Sequence, residues 1–162
     1  ALYRIGQATT DITYHFHEYR RVPADLRDLA HFGETISLQG WNLPGGVSVR
    51  ACQEVPFESW WRALDAPGAD LGIGLVLADA TGQGVAKVDA EPSGARTLDW
   101  EADTYHLDGR TLRVPCDLPP GDYPLLIGMF DMVSTEPLPI YTPDGTPTGS
   151  TLYYLTTLTV TQ

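Results

Sequence analysis

The sequence predicts an all-β fold, an immunoglobulin-like antiparallel β-sandwich of about seven to nine short strands, on three observations. Apolar residues recur at every second position in short runs, the spacing of strands with one covered face. Turn signals return every 8 to 12 residues or so, as they do in sandwiches and barrels. The 162 residues include 16 glycines and 13 prolines, which disfavours long helices and the helical crossovers that a parallel sheet requires. A closed barrel is the structural alternative.

In chain order, Tyr3, Ile5, Ile12, Tyr14 and Phe16 give a loosely alternating start. Pro23 to Phe32 is the only segment suited to a short helix: Leu26, Leu29 and Ala30 share a face, and Pro23 or Asp25 can open it. Residues 1–33 are therefore expected to form an extension that packs over one sheet or lengthens it, and residues 34–162 the sandwich itself. Ile36 and Leu38 alternate up to Gly40-Trp41, and Pro44-Gly45-Gly46 turns the chain toward Val47 and Val49. Val55, Phe57, Ser59 and Trp61 face inward, leaving Glu58, Trp60 and Arg62 on the other side.

After the Asp65–Asp70 loop, Leu71, Ile73, Leu75 and Leu77 line one face of a strand and Gly72, Gly74 and Val76 the other. So small an opposite face implies close backbone approach, or simply little volume to pack. Asp79-Ala80-Thr81-Gly82 reads as a hairpin turn before Val85, Ala86 and Val88. Residues 91–103 look irregular, anchored by Trp100; Tyr105 and Leu107 begin a short strand that the Asp108-Gly109 turn signal ends. Leu112 and Val114 then lead through Leu118-Pro119-Pro120-Gly121-Asp122 to Tyr123, Leu125, Ile127 and Met129. Prolines without donors beside a permissive glycine make that break sharp. Beyond it lie a strand-like piece at Pro137–Tyr141, a loop at 143–149, and a last strand bearing Leu152, Tyr154, Leu158 and Val160.

With 21 acidic and 10 basic residues the formal charge is -11, and no basic stripe is present to follow a phosphate backbone, which argues against nucleic acid as partner. No apolar run is long enough to span a membrane. No basic start with an apolar stretch and cleavage site is seen, and the start at Ala1 fits a mature secreted form or a piece of a longer chain. Cys52 and Cys116 each sit at a strand–turn junction, one before an alternating run and one after. If those runs are antiparallel neighbours the thiols come within bridging distance, and closing so long a loop contributes about 4 kcal/mol on the chain-entropy model. Two unpaired thiols remain the alternative.

The order ISLQGW, ESWWRAL, LGIGLVLADATGQGVAKVDAEP, TLDW, LRVPCDLPPGDYPLLIGMFD and LTTLTV, between Glu34 and Val160, resembles a domain found at the C-terminal end of bacterial multi-pass membrane proteins. Many of these are glycosyltransferases of the dolichyl-phosphate-mannose-protein-mannosyltransferase-like group. The resemblance implies an immunoglobulin-like sandwich outside the cytoplasm, secreted or on the outer side of the cytoplasmic membrane, appended to an enzyme or membrane assembly. It brings no catalytic residue. The positions it maps, among them Gly40, Trp61, Asp79, Gly82, Pro92, Trp100, Gly121, Gly128 and Asp131, are turn and core positions. The first 33 residues and the 135–151 loop depart from the shorter forms.

Chemistry is sparse. No serine lies in a nucleophile-elbow context, and a disulfide would remove both thiols as nucleophiles. His15 and His17 fall on one side of a strand, but nothing local supplies a third ligand to join them or His31, so no metal is expected. Asp65, Asp70, Asp79, Asp99, Glu101, Asp103 and Asp144 offer oxygen ligands on loops, making calcium the single cofactor to consider, without EF-hand spacing to support it. Sugar binding would use rings that alternation or loop placement leaves outside the core: Trp60, Tyr105, Tyr141 and Tyr154. The leading reading is a non-catalytic extracytoplasmic module with a structural or protein-interaction role. A carbohydrate-binding module is the alternative, and a secreted hydrolase ranks below both.

Overall fold

The structure, a computed structural model, describes residues 25–162 together with the backbone of three short strands before them. The strands are β1 (Leu2–Arg4), β2 (Asp11–Thr13), β3 (Tyr19–Arg21), β4 (Ala30–Phe32), β5 (Ile36–Asn42), β6 (Ser48–Arg50) and β7 (Glu54–Ala63). They continue as β8 (Leu71–Ala78), β9 (Gly84–Ala90), β10 (Thr104–Arg113), β11 (Gly121–Asp131), β12 (Ile140–Tyr141) and β13 (Tyr153–Thr161). One sheet has six strands in the order β1-β10-β7-β5-β4-β12, the other five in the order β6-β13-β11-β8-β9, and β2 pairs with β3. All pairings are antiparallel except β13 with β6. More strands form than turn spacing predicts, because several are pieces of two or three residues, such as β4, too short to set a turn interval.

The expected alternation is what builds the core. Val55, Phe57 and Trp61 of β7, Leu71, Ile73, Leu75 and Leu77 of β8, and Tyr123, Leu125, Ile127 and Met129 of β11 are all buried. Each large side chain so covered contributes roughly 1.5–3 kcal/mol relative to exposure. Phe32 meets Trp61 edge to face at 5.0 Å, and the Trp61 indole N–H donates to Ser59 Oγ at 2.8 Å. Trp100 is buried after a single 3-10 turn, Thr97–Asp99, and stacks on His106 at 3.9 Å.

Arg110 and Asp108 close one side between the sheets. Arg110 Nε donates to Asp108 Oδ2 at 2.6 Å, with side-chain exposures of 6% and 1%, and Arg110 Nη1 reaches across to the Ile73 carbonyl. Asp108 Oδ1 also accepts from the Ser93 amide at 2.9 Å. At the far end Cys52 N donates to the Val114 carbonyl and Val114 N to the Gln53 carbonyl. That pairing sets Cys52 beside Cys116, and a disulfide joins them over 64 residues.

Two expectations need correction. Residues 25–29 are not helical and Ala30–Phe32 is a strand; Pro23 and Ala24 lie outside the described residues. The amides of Arg27 and Leu29 donate to the carbonyls of Gln39 and Leu38, so neighbouring β5 claims the backbone that a helix would have satisfied internally. Asp108-Gly109 is no turn, because the Asp108 carboxylate is held by Arg110 and Gly109 pairs with Glu58 inside a continuous β10. Tyr154, expected among the rings outside the core, is exposed and does not share the inward face of Leu158 and Val160. The register shifts between Leu125 and Leu126, a bulge that turns Leu155 inward (7% exposed) and Tyr154 outward (55%).

Candidate functional site

The outer face of the five-stranded sheet is shaped by three glycines. Its cross-strand rows are Tyr154–Leu126–Val76–Lys87, then Gly128–Gly74–Asp89, then Phe130–Gly72. A Cβ on Gly72 would collide with the Phe130 ring, and one on Gly74 would come within 2.8 Å of Asp89 Oδ1. The ring and the carboxylate therefore lie down on bare backbone. At Gly128 the approach is by main chain: the Thr151 carbonyl would be 2.8 Å from an added Cβ. The result is a groove of about 360 Å3 bordered by Phe130, Asp89, Lys87, Thr135, Pro137 and Leu152.

Lys87 Nζ sits 2.7 Å from Asp89 Oδ2, placing a donor and an acceptor side by side at one end of the groove. The Thr135 end is set by a turn in which Asp131 Oδ1 accepts from the Val133 and Ser134 amides at 2.8 and 2.9 Å. Those amides lower the Asp131 carboxyl pKa, Ser134 contributing most. Tyr154 does not line the groove but lies one cross-strand row from Gly128, its hydroxyl 2.8 Å from Thr157 Oγ1 and its ring exposed. Adjacent strands are spaced ~4.8 Å apart, so from Tyr154 on β13 to Lys87 on β9 is on the order of 14 Å. Flat rings next to a paired acid and base form a surface that can cover apolar C–H faces and hydrogen-bond hydroxyl groups.

The other ring candidates lie on the outer face of the six-stranded sheet. Register places Tyr105, Arg62, Ser37, His31 and Tyr141 in one row across β10, β7, β5, β4 and β12. Arg62 lies over the Tyr105 ring at 5.7 Å and also pairs with Asp103 at 2.9 Å. Trp60 is on this face too, paired with Gly40 and Leu107, but only 7% exposed, so its indole is a floor and not the projecting platform that alternation predicts. Trp60 and Tyr105 thus share a face, Tyr141 lies at that face's far edge, and Tyr154 is on the opposite side of the molecule. Sequence reading missed Phe130, Lys87 and Asp89; the signal that could have found them is the run Gly72, Gly74 opposite Gly128.

Asp28, His31 and Ser37 resemble a catalytic set in composition alone. Ser37 Oγ donates to Asp28 Oδ1 at 2.6 Å and His31 Nε2 lies 2.5 Å from Asp28 Oδ2. The carboxylate sits between hydroxyl and imidazole, so the ring cannot take the serine proton as a general base must. Among the described residues no group of three or more His, Cys, Asp or Glu is placed to hold a metal ion. Asp79 and Asp144 are committed to their own turns. Asp79 accepts from Thr81 and Gln83, and Asp144 from Thr142 and Thr146. Both carboxyls titrate below their ordinary value, chiefly through the Thr81 hydroxyl in one and the Thr142 hydroxyl in the other. His15 and His17 lie outside the described residues. No helix among the described residues is long and apolar enough to cross a membrane.

No family model matches this chain, and no curated protein matches it. Solved structures do. The C-terminal domain of Wzt is similar at a TM-score of 0.58 with 15% identity, over 86% of this chain and 83% of that one. A Niemann-Pick type C2 protein from Japanese carpenter ant is similar at 0.51 with 9% identity, over 84% of this chain and 98% of that one. Likeness at such identities establishes the β-sandwich fold. The narrower resemblance to mannosyltransferase-like proteins has no family model behind it.

Proposed function

We propose that this β-sandwich is a carbohydrate-binding module whose ligand lies across the outer face of the five-stranded sheet. One observation carries the reading: Gly72 and Gly74 let the Phe130 ring and the Asp89 carboxylate lie flat in a groove one cross-strand row from the exposed Tyr154. A pyranose offers complementary chemistry, with C–H faces for the rings and hydroxyls for the Lys87–Asp89 pair. The Cys52–Cys116 disulfide supports an extracytoplasmic location, since such bonds persist in oxidising compartments. There the partner is a glycan, and the resemblance in motif order suggests a neighbouring membrane assembly as host. A glycan array probed with the wild type and with Tyr154→Ala and Asp89→Ala tests the site. Binding that falls in both variants relative to the wild type supports it, and equal binding by all three contradicts it.

A protein-interaction role is favoured by a different observation. Leu98, Met132 and Val133 are 45%, 36% and 88% exposed on loops that meet near Asp70–Leu71, where Met132 N donates to the Asp70 carbonyl and Leu71 N to Thr97 Oγ1. Light scattering of the wild type and Val133→Asp separates the two roles. A self-association lost in the variant would support an interface there; a concentration-independent monomer in both would remove self-association as its purpose.

A further inference from the structure

The six-stranded sheet has a groove of its own. It measures about 450 Å3 and lies between residues 25–29, the end of β5 and the middle of β7, within the size range of small-molecule sites. Trp60 lines it, the Asn42 amide stands 3.4 Å from Glu58 Oε1 at one wall, and Asp25 and Arg27 belong to the other. Two local features open this space. Leu26 folds over Gly40, where an added Cβ would be 2.8 Å from its Cδ2, so residues 25–29 can run close along β5. The register of β5 against β7 also shifts between Leu38 and Gly40, a bulge of the kind that re-aims side chains beside binding sites.

We propose that this groove is a second site for a polyhydroxylated ligand, so that one module holds two glycan chains, one on each outer face. The ligand class rests on the carbohydrate reading of the first site; the existence of the second rests on its own residues. Asn42 and Arg27 donate, while Glu58 and Asp25 accept, around an indole floor. That mixture suits vicinal hydroxyls, which need both partners at once. The grooves face away from each other across sheets packed ~10 Å apart, so a chain seated in one does not enter the other without wrapping the sandwich edge. Two sites on one rigid body convert a second contact with a polymer into a local event and raise avidity without new chemistry.

Titration calorimetry and native mass spectrometry with mannohexaose, maltohexaose and cellohexaose count the sites. Trp60→Ala removes a buried indole and threatens the fold, so the variants are Arg27→Ala/Asn42→Ala, both exposed, and Tyr154→Ala/Asp89→Ala. The wild type is expected to take two molecules of the preferred hexasaccharide, each double variant one, and their combination none. Mannan or the matching polymer should become turbid with the wild type and stay clear with either double variant. One bound molecule, lost in Tyr154→Ala/Asp89→Ala and untouched in Arg27→Ala/Asn42→Ala, would overturn the second site and leave the first. The reverse pattern would uphold the second site and overturn the first. No binding of any of the three by the wild type overturns both.

Discussion

The two outer faces of this sandwich are built from similar alternating strands and come out differently. On the six-stranded sheet the large side chains are engaged: Trp60 is 7% exposed, Tyr105 lies under Arg62, and His31 and Ser37 share the Asp28 carboxylate. On the five-stranded sheet glycines occupy the central rows, and the neighbouring ring and carboxylate lie flat, leaving a groove next to an exposed tyrosine. The difference teaches that exposure of an aromatic is poorly foretold by its parity in a strand. What neighbouring positions leave empty decides where on a face a site opens.

The largest expected effect strikes both faces together. Asp108→Ala leaves the Arg110 guanidinium buried without its carboxylate, and breaking such a pair costs about 3–5 kcal/mol. Urea unfolding should show a midpoint lowered accordingly, with binding lost only as the folded fraction falls. An unchanged midpoint would mean that the sheets do not depend on this strut.

Glycine substitutions separate stability from binding on the five-stranded face. Gly128→Ala drives a Cβ against the Thr151 carbonyl and should cost about 1–3 kcal/mol as an overpacked position. Gly74→Ala meets only the Asp89 side chain, so stability should change little while the carboxylate is lifted and glycan affinity drops at least tenfold. Equal affinity in Gly74→Ala and wild type would show that the flat carboxylate is not used. A smaller contrast is Tyr154→Ala against Tyr105→Ala: the first should weaken binding to the five-stranded face severalfold and the second leave it unchanged, measured by calorimetry.

The smallest effect lies in acid. Asp79, Asp131 and Asp144 titrate below the ordinary 3.8 because their turns donate hydrogen bonds to the charged form. A lowered folded value means that the stabilisation is present above 3.8 and fades as pH falls through the lowered values. Carboxyl NMR titration should show all three midpoints below 3.8. The Asp131 turn borders the five-stranded groove, so Thr135 signals should move with Asp131. Thr135 signals that ignore that titration would uncouple the turn from the groove.

Much of the sandwich was legible because alternation and burial coincide in Val55–Trp61, Leu71–Leu77 and Tyr123–Met129, where each run satisfies one covered face. The Cys52–Cys116 bridge was legible on the condition that the runs at Val55 and Leu112 are antiparallel neighbours, and they are. Residues 25–32 misled because their helical spacing is a local property, whereas the carbonyls of Leu38 and Gln39 that capture them are supplied by another strand. The inward turn of Leu155 was not legible, because it follows from a bulge that no local pattern marks. The site was half legible: the small face of β8 was visible as Gly72 and Gly74, but which side chains fill that space depends on register with β9 and β11.

A two-dimensional amide NMR titration with the best-binding oligosaccharide asks most directly whether the glycine rows are a binding surface. The Gly74, Lys87, Asp89, Gly128 and Tyr154 amides should shift together and saturate at one affinity. Saturable binding that leaves these five unmoved would contradict the account.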